Sequence, residues 1–499
     1  MALAGHDRDD MPVSRWLPSP RWLWTGAALL VSHVILLLLS PQFNPNHPLQ
    51  ERPVLLLVGL EVIVGVTWLF AVWPPVPLSR THHSTAYMVL IGVLLRVVML
   101  FSTPVLEDDF WRYLWDGAVV AVGHNPYVHP PEDFLPTNPD ALENIPFTLQ
   151  GLAEDGRDVL SRINHPHLRT IYPPGSLAAF AVAYAVAPWN VLALRMVLLT
   201  ADAAVLILLL CLLREFGLPP LWAMVYWWNP LLIQECVNAA HMDVLALPFV
   251  LGALLLAVRG KHVTGIAVLS CAVGIKLWPV ILLPFLFRPL LRSPRKLGFG
   301  ALTAGAIGLV LIWPAVHALQ GAGSGAAAYA SRWEMNDALF MAFQWGVRMA
   351  LSLMNTAQHA PLVTRMLVFL LLSAWVARLA WFPVDNTSPE LARRMLLAVA
   401  GLFLLSPTQF PWYSLWFLPL LALNPRPSLL LLTVLLPLYR LRFYFVAREQ
   451  ASLFDNGIVW LEYLPVWGCL LWETLKHPHA GRRPPQPNAR LSQKEAETS

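Results

Sequence analysis

Apolar runs long enough to cross a bilayer recur along this chain from residue 22 to residue 473. A helix needs about 20 consecutive apolar residues to span the hydrocarbon core, and short polar or basic stretches separate these runs. At that length per span, plus loops, the pattern predicts on the order of 12 to 14 transmembrane helices. The predicted fold class is therefore all-α, a polytopic transmembrane helical bundle.

The two ends of the chain depart from this apolar pattern. Residues 1–20 are polar and mixed in charge, which predicts a cytoplasmic N-terminal segment. The membrane domain is predicted over residues 21–476, and the polar, proline-rich residues 477–499 are predicted to form a disordered cytoplasmic tail. Lys and Arg concentrate in cytoplasmic loops of membrane proteins, so Arg80 is expected in the cytoplasm and residues 104–174 on the opposite side.

Residues 104–174 form a long stretch of mixed polarity inside the membrane domain. Aromatic and apolar residues alternate there with acids, histidines, asparagines and prolines, so we expect interfacial helices that lie on the outer membrane surface. The next apolar run, residues 175–188, is short and ends at Pro188. It is either a full crossing or a segment that only dips into the membrane, and the basic loops further along the chain favour the second alternative.

Two charged residues interrupt the second and third apolar runs. Glu61 and Arg96 each lie about seven or eight residues from the outer end of their run, roughly 11 Å deep at ~1.5 Å rise per residue. An isolated charge at that depth is costly. The sequence therefore predicts a Glu61–Arg96 ion pair that stabilises the bundle.

Composition narrows the class of protein. Hydrophobic residues make up 57% of the chain and charged residues only 13%, whereas soluble proteins average about 45–50% and 25%. A soluble enzyme is therefore excluded. The net charge is only +4 and the sequence shows no basic stripe, which excludes a nucleic-acid partner. The four cysteines show neither a pairing pattern nor a metal-binding spacing.

Three adjacent acids at the outer end of a predicted span form the first candidate site: Glu107, Asp108 and Asp109. Like charges repel, so such a run usually serves a cation, a metal ion or a proton transfer. If the stretch is helical, Asp108, Arg112 and Asp116 share one face, where Arg112 can neutralise the row. Asp109 then points elsewhere and is free to accept a proton. The alternative is an ion-paired helix N-terminus, where acids suit the helix dipole.

Further polar residues stand at span ends or on the outer side, near the level of these acids, and such residues are usually functional in an apolar chain. Arg112, Arg195 and Lys276 are candidates for holding a phosphate. His241 and Asp243 are candidates for orienting a sugar by hydrogen bonds, beside aromatic rings that suit its apolar face. The remaining candidates for substrate binding are Asn125, Tyr127, His165 and Tyr172.

Structural alternatives exist for each of these residues. The Lys276 side chain could extend to the membrane interface without binding a ligand. His241 and Asp243 could form a structural hydrogen-bonded pair. Arg195 and Asp202 lie seven residues apart on one helical face and could form an internal ion pair.

The acids also leave the question of a cofactor open. The histidines lack a zinc spacing, whereas oxygen ligands suit magnesium or manganese, so Asp108 and Asp109 are the candidates for a metal site. Without a metal, a carboxylate can remove the proton of an acceptor hydroxyl while a cation holds a leaving phosphate. A lipid-linked phosphosugar would reach such a site laterally from the bilayer. This combination suggests glycosyl transfer from a lipid phosphate donor.

Several short motifs occur together: Glu107–Gly117, Gly123–Tyr127, Asn164–Pro166, Thr170–Pro174 and His241–Asp243, with Pro411–Tyr413 far downstream. This set resembles the bacterial and archaeal polyprenol-phosphate-mannose-dependent mannosyltransferases, which are membrane glycosyltransferases of the GT-C fold. The resemblance covers roughly residues 85 to 290.

The resemblance implies that an acid in the first large external loop acts as the base or as an acceptor or metal contact. Asp109 matches best, because Asp109, Arg112 and Tyr113 reproduce the Asp-x-x-Arg-Tyr spacing of the lipid-A aminosugar transferases. Asp108 is the second choice. Lys276 falls where a basic residue could meet the donor phosphate. By the same resemblance, a single displacement would invert the sugar carbon.

The sequence thus predicts an integral membrane hexosyltransferase. It would move a hexose, with mannose favoured, from a polyprenyl-phosphate donor to a lipid-linked or cell-envelope glycan. The predicted location is the bacterial inner membrane, with the active site facing the periplasm. The rival is a transporter or flippase of a lipid-linked glycan, in which broken helices and intramembrane charges would look similar. A polymer ligase or polymerase that uses a lipid diphosphate donor is the third alternative.

Overall fold

The computed structural model describes residues 19–73, 82–135, 145–315, 325, 333–381 and 388–476. Within these ranges the regular elements are helices, and the β-type pairing is an isolated bridge between Met335 and Thr408. The all-α prediction is therefore confirmed. Apart from residues 19 and 20, the predicted cytoplasmic segment 1–20 lies outside the described residues, as does the whole predicted tail 477–499.

The α-helices are numbered here in chain order. Up to the site-bearing middle of the chain they are α1 (Pro20–Leu39), α2 (Val54–Val72), α3 (His82–Leu100), α4 (Asp109–Ala121), α5 (Phe147–Asp155), α6 (Arg157–Leu160), α7 (Pro174–Val186), α8 (Val191–Glu215), α9 (Met224–Trp227), α10 (Pro230–Ile233), α11 (Leu247–Val258) and α12 (His262–Val273). The later ones are α13 (Leu283–Phe287), α14 (Pro294–Ile312), α15 (Ala338–Ser352), α16 (Ala360–Trp381), α17 (Ser388–Leu405), α18 (Leu418–Leu423), α19 (Pro427–Leu435), α20 (Leu441–Val446), α21 (Ala451–Leu453) and α22 (Val459–Lys476).

Short helices of other types connect or extend many α-helices. The 3₁₀ helices are Ser40–Phe43, Leu49–Glu51, Pro131–Phe134, Pro220–Ala223, Met242–Ala246, Trp278–Leu282, Arg288–Arg292, Ala357–His359, Pro411–Trp416 and Leu436–Arg440. The π-helical turns are Gln234–Asn238 and Phe454–Ile458. Many of these short helices begin next to a proline, which has no N–H to continue a regular helix.

Seven helical segments among the described residues are long and apolar enough to cross a membrane. They are Pro20–Phe43, Val54–Val72, His83–Leu100, Val191–Glu215, Pro294–Ala315, Ala357–Trp381 and Pro427–Val446. Large apolar side chains on their outer faces are exposed, as at Leu38, Phe70 and Phe369, which suits contact with lipid. The predicted polytopic bundle is confirmed. The expected 12 to 14 spans also counted segments that fold as short or broken helices.

Helix α7 is one of these short segments. Its 13 residues extend about 20 Å at ~1.5 Å per residue, whereas the hydrocarbon core is about 30 Å thick. The helix packs against α4 and α8. This length favours the alternative in which residues 175–188 only dip into the membrane.

A broken span places one part of the candidate site. Pro230–Asn238 and Met242–Val258 together are apolar enough to cross, but they meet at an angle of 102°. At the break Ala240 has a φ of 58°, and the backbone carbonyl oxygen of Asn238 accepts a hydrogen bond from Arg195 Nη2. Irregular backbone inside a membrane protein is tolerated when neighbouring protein groups supply such partners.

The predicted Glu61–Arg96 ion pair is wrong. Arg96 pairs instead with Asp202, which also accepts a 2.7 Å hydrogen bond from the Tyr226 hydroxyl. Glu61 Oε2 lies 3.3 Å from Arg440 Nη1. Each charge is neutralised as expected, but the packing of helices distant in sequence decides the partner.

Helix α4 carries the acids and is held against α7 by a close backbone contact. A Cβ atom added at Gly117 would lie 2.6 Å from the backbone of Phe180, so only glycine permits this approach. The contact fixes α4, and with it the acidic motif, on the helical bundle.

Candidate active site

Two carboxylates stand at the start of α4, where acids suit the positive end of the helix dipole. Asp108 precedes the helix and Asp109 is its first residue. The side-chain amide of Asn164 donates to Asp108 Oδ1 at 2.6 Å and to Asp109 Oδ1 at 3.4 Å. The hydroxyl of Tyr113, one turn further, donates to Asp109 Oδ2 at 3.5 Å. The acids, Asn164 and Tyr113 thus form one cluster, as the motif spacing suggests.

The environment of the two acids favours their protonated forms. Desolvation by the surrounding protein and then the charge of Asp109 raise the pKa of Asp108 to about 6, although Asp108 reaches the surface. Desolvation also raises the pKa of Asp109, against the hydrogen bond from Asn164 and the charge of Lys276. The Asp109 side chain is 28% exposed. Asp109 is therefore an accessible carboxylate with increased affinity for a proton.

The predicted row of Asp108, Arg112 and Asp116 forms only in part. Arg112 Nε donates to Asp116 Oδ1 at 2.9 Å, and Nη1 donates to the carbonyl oxygen of Leu168 at the same distance. Arg112 and Asp116 are both buried. Arg112 therefore neutralises Asp116 and joins α4 to the loop, whereas Asp108 is held by Asn164.

Lys276 forms the cationic part of the site. Its ammonium group donates to Asp243 Oδ1 at 2.7 Å, and the indole N–H of Trp416 donates to the same oxygen at 2.6 Å. The ammonium also lies 4.7 Å from the centre of the Tyr413 ring. The Lys276 side chain is 20% exposed, whereas Asp243 is fully buried. Because an ammonium has three donors, this one can still bind an anion while Asp243 holds it.

His241 connects the acids of α4 with the interior. Its Nδ1 lies 3.9 Å from Asp109 Oδ2, and its Nε2 lies 3.4 Å from Glu235 Oε2. The ring stacks on Trp412 with 3.9 Å between centroids. His241 is as fully buried as Asp243. Neither His241 nor Asp243 therefore exposes side-chain surface for the direct sugar contacts that the sequence suggested.

An aromatic layer lies behind His241 and Lys276. It comes from the 3₁₀ helix Pro411–Trp416, which contains the late motif Pro411–Tyr413. The rings of Tyr413 and Trp416 stack at 4.3 Å, and Trp416 stacks on Trp278 at 5.4 Å. The layer orients Lys276 and its partner Asp243. Trp416 donates a hydrogen bond to Asp243, and the Tyr413 ring contacts the ammonium of Lys276.

Three predicted substrate-binding residues lie beneath the acids. The Tyr127 hydroxyl donates to the carbonyl oxygen of Tyr172 at 2.5 Å. Asn125 accepts a 2.9 Å hydrogen bond from the Tyr127 N–H and donates to the carbonyl oxygen of Pro314 at 3.1 Å. The Tyr172 ring meets that of Tyr113 edge to face at 5.0 Å. These contacts support the cluster that holds Asp109.

Arg195 lies inside the bundle and is occupied by backbone carbonyl groups. Its Nη1 donates to Leu100 at 2.9 Å and to Ser102 at 2.8 Å, and its Nη2 donates to Asn238. The residue is 3% exposed. The alternative pairing with Asp202 does not form, because Asp202 is bound by Arg96. Arg195 stabilises the broken span rather than facing the acids.

The residues around Asp108 and Asp109 do not assemble a protein-held metal site. In the part of the chain that the structure describes, no group of three His, Cys, Asp or Glu side chains is arranged to hold an ion. His165 lies on the surface, where its ring contacts that of Trp333 at 4.8 Å between centroids. The alternative of magnesium or manganese therefore gains no support from this arrangement.

A pocket of about 470 Å³ opens beside the acids. Asp108 contributes to its lining, but Asp109, Lys276 and Asp243 do not, so the pocket lies next to Asp109 in sequence and is distinct from the Lys276 cluster. Its walls include the indole rings of Trp111 and Trp189. The guanidinium of Arg162, another lining residue, lies 5.1 Å from the centre of the Trp111 ring. Aromatic faces with charged and polar groups at their edges suit a carbohydrate ring.

Near the site, Arg440 was not selected from the sequence, and Glu235 was not among the candidate site residues. Arg440 Nη2 donates to Glu235 Oε1 at 2.6 Å, and both side chains are buried. Both lie within apolar segments, and a charge in such a segment is the signal that could have identified them. Their pairing could not be identified in the same way, because they are 205 residues apart.

Comparison with known proteins identifies mannosyltransferase relatives. Residues 165–292 match the MptA_B family, described as alpha-(1->6)-mannopyranosyltransferase, N-terminal domain. Two relatives are named alpha-(1->6)-mannopyranosyltransferase A. The one from Corynebacterium glutamicum is 27% identical over 192 residues, which are 38% of this chain and 36% of that protein. The one from Mycobacterium tuberculosis is 28% identical over 239 residues, which are 46% of this chain and 42% of that protein.

These matches cover part of each protein. The matched part of the chain spans less than half the length of either relative. No solved structure matches the chain. The family match includes His241, Asp243 and Lys276, and it begins after Asp109. The comparisons confirm the resemblance to mannosyltransferases that the motifs predicted.

Proposed function

We propose that this protein is an integral membrane mannosyltransferase that uses a polyprenyl-phosphate mannose donor and a lipid-linked or cell-envelope glycan acceptor. The observation that carries the proposal is that a partly exposed carboxylate, Asp109, lies within range of the charge of a partly exposed cation, Lys276, on an apolar helical bundle. The names of the two relatives support mannose as the sugar.

Asp109 is the proposed general base. The acceptor hydroxyl gives its proton to Asp109 while its oxygen bonds to C1 of mannose. The bond between C1 and the phosphate oxygen breaks in the same step, and the lipid phosphate leaves with the electron pair. A raised carboxylate pKa increases the driving force for this proton transfer. One displacement of this kind inverts the configuration at C1.

Lys276 is the proposed contact for the donor phosphate. A phosphate that leaves gains negative charge, and a fixed cation stabilises that charge more in the transition state than in the ground state. Asp243, which accepts a hydrogen bond from Trp416, holds the ammonium from behind. Two of its three N–H groups are then available to phosphate oxygens.

The pocket beside Asp108 is the proposed acceptor site. Its volume of about 470 Å³ falls within the usual range for small-molecule sites, about 300–1,000 Å³. Trp111 and Trp189 would stack on sugar rings, and Arg162 and Asp108 would bind hydroxyl groups. A glycan held there would present a hydroxyl group to Asp109, which adjoins Asp108.

The bilayer supplies the donor in this proposal. The exposed apolar faces of the long helices place the protein in a membrane, where the prenyl tail of the donor stays in lipid while its phosphate reaches Lys276. The basic loops support an orientation in which the site faces the outside of a bacterial inner membrane.

A transfer assay tests the proposal. The purified full-length protein would be incubated with radiolabelled polyprenyl-phosphate mannose and octyl mannoside, and the octyl dimannoside would be measured. Asp109→Asn keeps the shape of the side chain and removes the base, so the rate should fall about 10²- to 10⁴-fold. Asp158→Asn, an exposed acid on α6, is the matched control and should retain the wild-type rate.

Two outcomes would refute the proposal. One is wild-type protein that forms no glycosidic bond from this donor, and the other is Asp109→Asn with wild-type turnover. Buried intramembrane charges such as Glu61 and Arg440 are the feature that a transporter would share. Movement of the intact donor across a proteoliposome membrane without a new glycosidic bond would favour that rival.

A further inference from the structure

Asp109 is the outer end of a line of ionisable groups that leads into the bundle. From Asp109 Oδ2 the line continues to His241 Nδ1 at 3.9 Å. His241 Nε2 then lies 3.4 Å from Glu235 Oε2, and Glu235 Oε1 accepts a 2.6 Å hydrogen bond from Arg440. The inner three side chains are fully buried, whereas Asp109 is partly exposed.

The line contains buried polar atoms that no hydrogen bond satisfies. Both ring nitrogens of His241 and the Oε2 atom of Glu235 are buried without a partner within hydrogen-bonding geometry. Such atoms are rare because leaving them unpaired is costly, and they often mark a functional site. The Nδ1 atom faces Asp109 and the Nε2 atom faces Glu235. When Asp109 carries a proton, a small rotation of side chains would complete both hydrogen bonds: Asp109 would donate to Nδ1, and the Nε2–H would donate to Glu235.

The charges at the inner end favour the uptake of a proton. Arg440 is shared by Glu235 and Glu61, whose Oε2 atom lies 3.3 Å from the guanidinium. Two buried carboxylates facing one cation leave a surplus negative charge, which one proton removes. His241 lies between this cluster and the cation of Lys276, and an imidazole that is buried near two cations is stable in its neutral form.

We propose that Glu235, acting through His241, is the final proton acceptor during glycosyl transfer. The inference rests on the proposed function. As Asp109 takes the proton of the acceptor hydroxyl, it passes a proton to His241 Nδ1, and His241 Nε2 passes its proton to Glu235 Oε2. One proton enters the ring and one leaves it, so His241 stays neutral and Asp109 is again a carboxylate. The proton returns to water through Asp109 after the products leave.

This path keeps the reaction in the forward direction. A protonated Asp109 beside the new glycosidic oxygen could return its proton and reverse the transfer. When the proton moves to Glu235, Asp109 is again a carboxylate and no acid remains beside the new glycosidic oxygen. His241 and Glu235 act through Asp109 and touch no substrate, so they are positioning residues that also relay the proton.

The chain offers a matched pair of variants. Glu235→Gln and Glu61→Gln each replace a buried carboxylate on Arg440 with an amide of the same shape. Only Glu235 contacts His241. Glu235 is hydrogen-bonded to Arg440, whereas Glu61 only lies near it, so a role limited to support of Arg440 could slow the two variants to different degrees but would leave the dependence on deuterium unchanged. The relay predicts a changed dependence in Glu235→Gln alone.

Single-turnover transfer in mixtures of H₂O and D₂O tests the relay. Full-length protein in excess would be mixed with radiolabelled polyprenyl-phosphate mannose and saturating octyl mannoside. For wild-type protein and Glu61→Gln, we expect a curved dependence of the rate on the deuterium fraction, because several protons move together. Glu235→Gln should be slower by about tenfold or more, with a linear dependence and an unchanged KM for the donor.

The outcomes separate the relay from the proposed function. Wild-type protein that forms no dimannoside overturns both. Active wild-type protein with Glu235→Gln equal to it, or with a slower Glu235→Gln whose dependence on deuterium is unchanged, overturns the relay alone. If Glu235→Gln does not fold, His241→Gln carries the same test: a slower rate with a linear dependence supports the relay, and wild-type behaviour overturns it.

Discussion

The candidate site has two halves of different construction. The loop half consists of Asp108, Asp109 and Asn164, which are at least partly exposed and are linked by one side-chain amide. The buried half consists of His241 and Asp243, held by a broken span and an aromatic layer, and the partly exposed Lys276 extends from it towards the surface. In the proposed function the loop half presents carboxylate oxygens to substrate, and the buried half sets their electrostatic surroundings.

This difference in burial predicts which substitutions should affect stability and which should affect activity. Charges interact more strongly in a low-dielectric interior than at a hydrated surface. Removing one partner of a buried pair leaves the other charge without compensation. Changes among the buried charges should therefore cost folding free energy, whereas changes at the loop half and its pocket should mainly change turnover and substrate binding.

The largest expected effect is at Arg440, the cation at the inner end of the site. Arg440→Met leaves Glu61 and Glu235 facing each other, and breaking a buried pair in this way costs about 3–5 kcal/mol. Thermal unfolding in detergent would show a large decrease in Tm. Arg448→Met, an exposed arginine nearby in the chain, should change the free energy of unfolding by less than about 0.5 kcal/mol. Equal Tm values for the two variants would contradict the larger contribution of the buried arginine to stability.

The next effect concerns the donor phosphate. Lys276→Met removes the ammonium, and hydrogen bonds to charged groups are worth about 1.5–3 kcal/mol, so the KM for polyprenyl-phosphate mannose should rise about 10- to 100-fold. Lys276→Arg keeps the charge and should lose less. Lys261→Met, an exposed lysine after α11, is the control. A donor KM that Lys276→Met leaves unchanged would show that another group binds the phosphate.

A smaller effect is expected in the pocket beside Asp108. Trp111→Ala removes an aromatic wall, and such contacts are worth about 0.5–1.5 kcal/mol, so the KM for octyl mannoside should rise about 2- to 10-fold. The donor KM should not change. Trp381→Ala alters an exposed tryptophan at the end of α16 and should change neither constant. A rise in the donor KM alone would assign the pocket to the donor.

The smallest effect is the pH dependence of stability from Asp108. Its pKa rises from an ordinary 3.8 to about 6 on folding, so between these values the folded protein holds a proton that the unfolded chain releases. Asp108 therefore lowers stability as the pH rises from about 4 to 6. The Tm of Asp108→Asn minus that of wild-type protein should increase over this window. Glu154→Gln, an exposed acid on α5, should show no such trend.

Much of the structure around Asp109 follows from local sequence. Asp109, Arg112 and Tyr113 are spaced to lie on the first turns of one helix, and the structure has that helix. Even here the partner of Arg112 was predicted only in part, because Asp116 and a loop carbonyl bind it while Asn164 holds Asp108. Local spacing defines which residues can meet, and the folded loop selects among them.

The buried half shows what local patterns cannot provide. His241, Asp243 and Lys276 stood out as polar residues in apolar surroundings, yet their partners come from distant segments. Trp416, which binds Asp243, is 173 residues further along the chain. Glu61 and Arg96 lie in helices that are long and apolar enough to cross a membrane, but they were paired wrongly for the same reason.

The sequence by itself determined that this chain is an all-α membrane protein with an acidic motif at the start of a helix, because hydrophobic periodicity and short-range spacing are local properties. Only the tertiary structure decided which buried charge neutralises which and that Asp109 connects through His241 to Glu235. Those pairings depend on the packing of the long helices and the broken span. Many different packings satisfy the same apolar pattern, so the pattern does not specify the one that the protein adopts.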